Sequence, residues 1–550
     1  MLYRQRMLPV LALSCVGLAA CGGTTESSSG GTAASSNVAS NSAAAQASAS
    51  SSSSTSVASN AGSSSSSAPG AGSNAQIVVD AANKLASITP HQVGTNLGIF
   101  YDVAAPSLPA QVASVAPTIL RWPGGSLSDQ YHWQNHTQCS YASPGTYTSG
   151  AAYDPNSTFD NFMTKIVQPG GYDAAITVAY GTNVACNGGG DPAEAAAWVA
   201  YAKQKGYNSS IHYWTVGNEV FGGWEVDLHQ PANDAATYAA ALSGASGYYA
   251  QMKAADPSAQ VGAFVIGGTG YNNWDSTVLS KAQYDFVELH WYAQQPGQES
   301  DSWLLTQGPG TLTKTIATLR QELQTAGKPA STPIMLGEVN SVAYNPGKQT
   351  MSVVNALFTG MVIGEVLNDN VAVTTWWFGA GGTQGCTNNN SSSLYGWQSF
   401  GGYDLIAANA QYSWNNCSNG TVVPEGSLFP SGNAFALAQQ FATGAESMLA
   451  VSVPSSLPDV RAYAASQGNG NGYSLMLFNL NQTATTTATV GVANAATSSF
   501  SASTVTYGKA QYDESQNNTW TGPVSATLGH VQGNVTVTLP PWSMTVLKLQ

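Results

Sequence analysis

Tyr213-Trp214-Thr215-Val216-Gly217-Asn218-Glu219 is the stretch around which the chain is organised. Bulky and β-branched residues run together and stop at Gly-Asn-Glu, the pattern of a buried strand that ends in a polar turn. Glutamate is rarely buried without a partner, so packing explains poorly a carboxylate set directly behind an apolar run. Pro333-Ile334-Met335-Leu336-Gly337-Glu338-Val339-Asn340 repeats the arrangement later in the chain. Two strands that each end in Glu predict one site with two carboxylates.

Six further stretches share this texture: Val93–Phe100, Thr118–Gly124, Ala174–Gly181, Gln260–Gly268, Phe286–Tyr292 and Ala372–Gly379. Helical stretches fall between many of them, at Asp191–Lys205, Ala232–Ala255, Leu312–Thr325 and Met351–Leu367. Strands alternating with helices predict a parallel sheet, and eight such strands predict an α/β fold of the closed (β/α)₈ TIM barrel type. An open doubly wound sheet is the competing architecture, but no Gly-rich phosphate loop supports it. Active sites of such barrels lie at the C-terminal ends of the strands. Glu219 and Glu338 fall there, on the fourth and seventh strands, as do Arg121, His290, Tyr292, Trp376 and Trp377. Strand side chains alternate, so one of Trp376 and Trp377 must point away from the interior. Glu288 shares parity with His290 but lies deeper, as a structural partner, and Asp129, Tyr131 and Trp133 shape a loop over the site. Glu225, Asp227 and Glu365 are expected on solvated faces or helices.

The barrel is assigned to residues 76–433, with a short hairpin at 76–90. Residues 434–550 change to Thr, Val, Ser and Ala runs broken by turns, an antiparallel β-sandwich that the N-terminal hairpin is placed to join. Ahead of the folded part, Arg4 and Arg6 precede an apolar run, Leu8–Leu18, too short to span a membrane. Leu18-Ala19-Ala20-Cys21 resembles the lipobox of bacterial lipoproteins, which implies acylation of Cys21 and a periplasmic or cell-surface envelope protein. Residues 1–21 are thus read as a lipoprotein signal, and the Ser-, Ala- and Gly-rich residues 22–75 as a disordered tether unable to bury enough surface to fold. Cysteine usage agrees with export: Cys139, Cys186, Cys386 and Cys417 have no zinc-site spacing and read as disulfides, three pairings being possible.

The 550-residue chain carries a net charge of −13, and only 8% of its residues are charged. It has no basic stripe, which excludes nucleic acid as a partner. Its 14 Trp and 25 Tyr suit stacking on sugar rings.

Paired carboxylates are the equipment of retaining glycoside hydrolysis. The residues around them resemble the clan A glycoside hydrolases, and among these the α-L-arabinofuranosidases of family 51. The matches are Leu120-Arg121-Trp122-Pro123-Gly124-Gly125, then Asp129 and Tyr131-His132-Trp133, then Trp214 to Glu219, and the closing Leu539-Pro540-Pro541-Trp542-Ser543. The resemblance implies Glu219 as acid/base, Glu338 as nucleophile and carboxyl groups roughly 5 Å apart. It implies that Asn218 binds the sugar hydroxyl beside the anomeric centre and that Arg121 keeps Glu338 ionised. His290 and Tyr292 would orient Glu338 or line the sugar subsite, with a Trp at 376 or 377 as its floor. The chain departs from the family at the nucleophile, where Gly337-Glu338-Val339-Asn340 stands in place of a sequence near Asp-Glu-Trp-Asn. This leaves endo-β-glycanase, β-xylosidase and β-glucuronidase as readings beside arabinofuranosidase, and a non-catalytic glycan-binding lipoprotein as a reading of another class. A carbohydrate substrate is implied; no cofactor or metal is called for, since two carboxylates suffice.

Overall fold

The computed structural model describes residues 76–268, 270–381, 389–408, 423–468 and 472–550. The leader, Cys21, the Ser-rich segment, Cys386 and Cys417 lie outside the described residues.

Eight parallel strands close into a barrel. In chain order, barrel strands one to eight are Gly94–Asn96, Ile119–Trp122, Asp173–Val178, Ile211–Val216, Gln260–Phe264, Phe286–Gln294, Ile334–Val342 and Val373–Trp376. Strand eight closes on strand one, with Thr375 opposite Gly94 and Trp376 opposite Thr95. The eight expected strands are the eight found, but the fourth stops at Val216, so Glu219 sits on the turn beyond it.

Helices Pro192–Lys205, Gly308–Thr325 and Val353–Asn368 fall where the sequence places them. The first begins at Asp191, whose carboxylate accepts from the Ala193 N–H, an N-cap that satisfies an otherwise unpaired donor. The helix expected at Ala232–Ala255 is instead two, Ala235–Leu242 and Tyr248–Ala255. Ser243-Gly244-Ala245-Ser246-Gly247 separates them, with Gly244 at φ 80, because Gly and Ser are poor helix formers and only Gly takes that backbone readily.

Strand alternation sorts the barrel core. Ile119, Ala175, Phe286, Met335 and Val373, with Tyr213, pack together as one inner layer. Their neighbours Leu120, Trp122, Trp214, Val287, Leu289, Ile334 and Leu336 belong to the large cluster shared with the helices. Both faces of these strands are therefore buried, which is why they read as near-continuous apolar runs.

Apart from two small sheets of three and two strands, the other strands form a nine-stranded, mostly antiparallel sheet. Its N-terminal contribution is one strand, Gln76–Ser87, and not a hairpin. This strand lies inside the sheet, antiparallel to Ala445–Ser452 and parallel to Thr486–Ala493. One face closes around its own core: Ile77, Leu475, Leu477, Val490, Val537 and Leu547 come from strands on both halves of the sheet, giving the expected sandwich. Along Tyr473–Asn479 the alternate residues Met476 and Phe478 face the other way and join Met544 and Val546 in the cluster that includes helix Val353–Asn368. Helix Pro430–Ala442 runs without a break across residues 433 and 434.

Candidate active site

Barrel strand two carries Arg121 into the interior, where its side chain is fully buried. A buried guanidinium needs partners for its donors. Nη1 lies 3.1 Å from Glu338 Oε1 and donates to Asn96 Oδ1 at 3.0 Å, Nη2 donates to Asn218 Oδ1 at 2.9 Å, and Nε lies 2.9 Å from Glu288 Oε1. One side chain thus ties together strands one, six and seven and the turn after strand four.

Strand seven does not alternate regularly. Leu289 pairs with Leu336 but His290 pairs with Glu338, so Gly337 is an extra residue. This β-bulge moves Glu338 onto the inner face, the face that Met335 occupies before it; without it Glu338 would point at the helices. Gly337 is required there, since a Cβ would stand 1.9 Å from Glu288 Oε1. Glu338 is 5% exposed and accepts from the Tyr292 hydroxyl at 2.7 Å.

Beyond strand four, Gly217 turns the chain at φ 78 and Glu219 itself has φ 45. A non-glycine residue in the left-handed region is held there by its surroundings, a form of strain that clusters at functional sites. Asp129 supplies part of that hold: it is fully buried and accepts from the N–H groups of Tyr180, Gly181 and Asn218 at 3.0, 3.2 and 2.9 Å. Burial pushes the Asp129 carboxyl up to about 7, against the pull of those three donors. Glu219 is the more open carboxylate, its side chain 21% exposed, and accepts from Trp224 Nε1 at 3.0 Å.

His290 stands between the carboxyl groups. Its Nδ1 is 2.9 Å from Glu219 Oε1 and 3.5 Å from Glu338 Oε2, and its Nε2 is 3.1 Å from Glu288 Oε1. Glu288 also accepts from the Thr215 hydroxyl, in the structural role expected of it. Burial alone would lower the His290 pKa, but Glu338, Glu219 and Glu288 outweigh it and push it up to about 9. Burial raises Glu219 and Glu288, yet His290 holds Glu219, and Arg121 with His290 holds Glu288, below the ordinary carboxylate range. For Glu338 the balance differs: burial and the charge of Glu219 outweigh His290 and Arg121, leaving it above that range. Arg121 therefore opposes protonation of Glu338 without winning outright.

Asn218 is clamped between Arg121 and Glu225, whose Oε1 accepts from Asn218 Nδ2 at 3.2 Å and from the Ser126 hydroxyl at 2.8 Å. Glu225 was expected on a solvated face; it is 6% exposed and raised well above the ordinary range by burial and by Glu219 and Asp129. Asp227, with a side chain 1% exposed, holds His229, so it too is buried. Glu365 lies on the helix as expected, but its carboxylate accepts from Tyr463 and Thr313.

Of the two tryptophans only Trp377 lies on the site side, next to Gly124 and Gly125 and grouped with Phe100, Tyr292, Phe378 and Tyr403. Trp376 points outward into the helix-facing core beside Phe358. Its assignment to the sugar site is corrected by strand parity: Val373, Thr375 and Trp377 share the inner face. Tyr131 and Trp133 pack beside Trp198 of helix Pro192–Lys205. Cys139 and Cys186 form a disulfide between the loops after strands two and three. Asn96 and Trp224 are not singled out by the sequence, and Glu225 reads there as a solvated carboxylate; nothing local to a polar loop distinguishes a residue that folds onto a distant site.

Donor atoms of Glu219, His290 and Glu338 all lie within 4.8 Å of one another. A divalent cation among them would sit against the Arg121 guanidinium, so this donor set suits proton transfer and nucleophilic attack better than metal binding.

No protein-family model and no curated protein sequence matches the chain. Solved structures similar to it include the family 51 α-L-arabinofuranosidases of Thermotoga petrophila, 18% identical with a TM-score of 0.61, and Bifidobacterium longum, 17% identical with a TM-score of 0.63. The matches cover 86% and 87% of this chain and 100% of theirs. A family 44 xyloglucanase of Paenibacillus polymyxa is 13% identical over 86% of this chain and 99% of its own, with a TM-score of 0.58. At these identities the likeness is one of fold, a parallel barrel joined to a β-domain over nearly the whole folded length.

Proposed function

We propose that the chain is a retaining glycoside hydrolase, with Glu338 as nucleophile and Glu219 as acid/base. One observation carries the reading: an oxygen of Glu219 lies within 4.8 Å of one of Glu338, both at the C-terminal end of the barrel. That spacing is the one double displacement needs, with no room for a water between carboxylate and anomeric carbon. Glu338 attacks the anomeric carbon as Glu219 protonates the departing glycosidic oxygen; Glu219 then takes a proton from water, which displaces Glu338 from the sugar. Because Nδ1 of a cationic His290 faces Glu219, the proton delivered to the leaving group is shared between these two residues. Asn218, its carbonyl held by Arg121, keeps an amide hydrogen for the neighbouring sugar hydroxyl, and Trp377 with Tyr292 provides an apolar wall.

The favoured substrate is an α-L-arabinofuranoside of plant cell-wall polysaccharide, supported by the strand-two and strand-four motifs and the family 51 folds. An endo-β-glycanase is the second reading, favoured by Gly337-Glu338-Val339-Asn340 and the family 44 likeness. We further propose attachment to the cell envelope through Cys21, supported by Leu18-Ala19-Ala20-Cys21. Hydrolysis of a panel of p-nitrophenyl glycosides, beside Glu338→Ala and Glu219→Ala, tests the reading. Arabinofuranoside release is expected, abolished in Glu338→Ala; Glu219→Ala should lose about 100- to 10,000-fold on substrates with a sugar leaving group. Release only from a xyloside or glucuronide moves the specificity. Silence on the panel and on arabinoxylan, arabinan and β-glucan leaves a glycan-binding protein.

A further inference from the structure

The opposite end of the barrel holds a second cluster that the proposed chemistry does not use. His91 lies in the short turn Pro90–Gln92 that leads into strand one, Asp173 opens strand three, and His212 is the second residue of strand four. His91 Nε2 is 2.7 Å from Asp173 Oδ2 and His212 Nε2 is 3.3 Å from Asp173 Oδ1. The three donor atoms lie within 4.8 Å of one another, and the imidazole centroids are 5.2 Å apart. We propose that His91, Asp173 and His212 form a binding site for a divalent cation of the zinc class.

Two imidazoles and a carboxylate are a donor set zinc accepts, with a fourth position left for water. Bonds of about 2.0–2.2 Å in a tetrahedron separate neighbouring ligand atoms by roughly 3.3–3.5 Å. The His212 contact, to Oδ1, already has that spacing, and the His91 contact, to Oδ2, needs to open by a fraction of an ångström. An ion between the rings therefore takes both carboxylate oxygens or draws the two histidines to one of them. A ligating imidazole usually has its other nitrogen fixed by an outer partner. Here the Tyr213 hydroxyl stands 3.4 Å from His91 Nδ1. The backbone of each ligand is held independently of the cluster. Gln92 is fully buried and bonds the Thr89 N–H and the Val371 carbonyl, fixing the turn that carries His91. Asp173 pairs with Ile119 in the barrel sheet, and His212 is the extra residue of a register shift, held between Ile211 and Tyr213, which pair with Ala174 and Ala175. The side chains are 18%, 28% and 40% exposed, which leaves an entry path and room for water. An ion there would link strands three and four to the segment that enters the barrel from the sheet.

The test uses the purified full chain, stripped with chelator and titrated with zinc chloride, read by calorimetry and by thermal unfolding. One ion per chain with micromolar or tighter Kd is expected, with a Tm rise of a few degrees at excess zinc. His212→Ala should weaken binding by more than about tenfold, and Tyr213→Phe by about tenfold. His212 is partly exposed, so His212→Ala should keep the metal-free Tm; should it not, His91→Gln takes its place. No binding, binding that survives both histidine variants, or binding abolished by Glu338→Gln would each overturn the proposal, the last because the ion would then sit at the other end of the barrel. None of these results depends on the glycosidase reading.

Discussion

His290 is the residue on which the electrostatics of the site turn. Three carboxyl groups face it: Glu219 and Glu338 at Nδ1 and Glu288 at Nε2, with Arg121 the opposing cation and Phe264 edge-on at 4.8 Å. Raised from 6.5 to about 9, it carries its proton in the folded protein at pH values where the unfolded chain has lost it. Stability from this source is complete below pH 6.5 and is lost as pH climbs through 9. Its ceiling is about 3 kcal/mol, from roughly 1.4 kcal/mol for each pKa unit. The Tm of the native chain should therefore fall between these limits, and His290→Gln, though less stable throughout, should flatten that slope. Equal slopes in thermal scans of the two proteins would show that His290 is neutral in the fold. If the glycosidase reading holds, the basic limb of kcat/KM follows the same group, since loss of the shared proton leaves Glu219 nothing to donate.

Single elements decide which side chains reach that centre. The bulge at Gly337 places Glu338 inward, and the same missing side chain makes room for Glu288, whose carboxylate pairs with Arg121 and His290. Gly337→Ala forces a Cβ to within 1.9 Å of Glu288 Oε1, against a carboxylate held by three partners. Overpacking of this kind costs about 1–3 kcal/mol. On the proposal that Glu338 is the nucleophile, displacing it by an ångström should also cost about a hundredfold in kcat. A Gly337→Ala protein with native Tm and native kcat would mean that the strand relaxes around the methyl group. This element also marks how far the sequence could be read. Eight strands, their order and both glutamates were legible, because apolar runs ending in carboxylates need no long-range information. The parity change at Gly337 was not, since a bulge adds one residue without altering composition; Trp376 and Trp377 stayed tied until Val373 and Thr375 fixed the inner face. Glu225 looked like an ordinary loop carboxylate, and only its contact with Asn218 brings it beneath the site. Cys386 and Cys417 lie outside the described residues, so of the cysteine expectations only the Cys139–Cys186 bond is seen.

At the scale of the molecule, barrel and sheet are bound by topology more than by a boundary in sequence. The chain enters the sheet first, through Gln76–Ser87, builds the entire barrel and then returns to finish the sheet. Helix Val353–Asn368 is buried along nearly its whole length, with Gly360 against Phe478 and Met544, and Gly364 against Tyr463. Strand Gln76–Ser87 separates Ala445–Ser452 from Thr486–Ala493, so its loss would expose two unpaired edges and open the core at Ile77 and Val79. Unpaired edges next to exposed apolar surface promote association between chains. A chain beginning at Asn74 should keep the native Tm and one cooperative transition. A chain beginning at Thr89 should lose several degrees or aggregate, and a peptide of residues 76–87 added in trans should restore part of the loss. Native Tm and solubility in the shorter chain would instead show that residues 445–550 fold without the strand that precedes the barrel, and that the sheet is a separable domain.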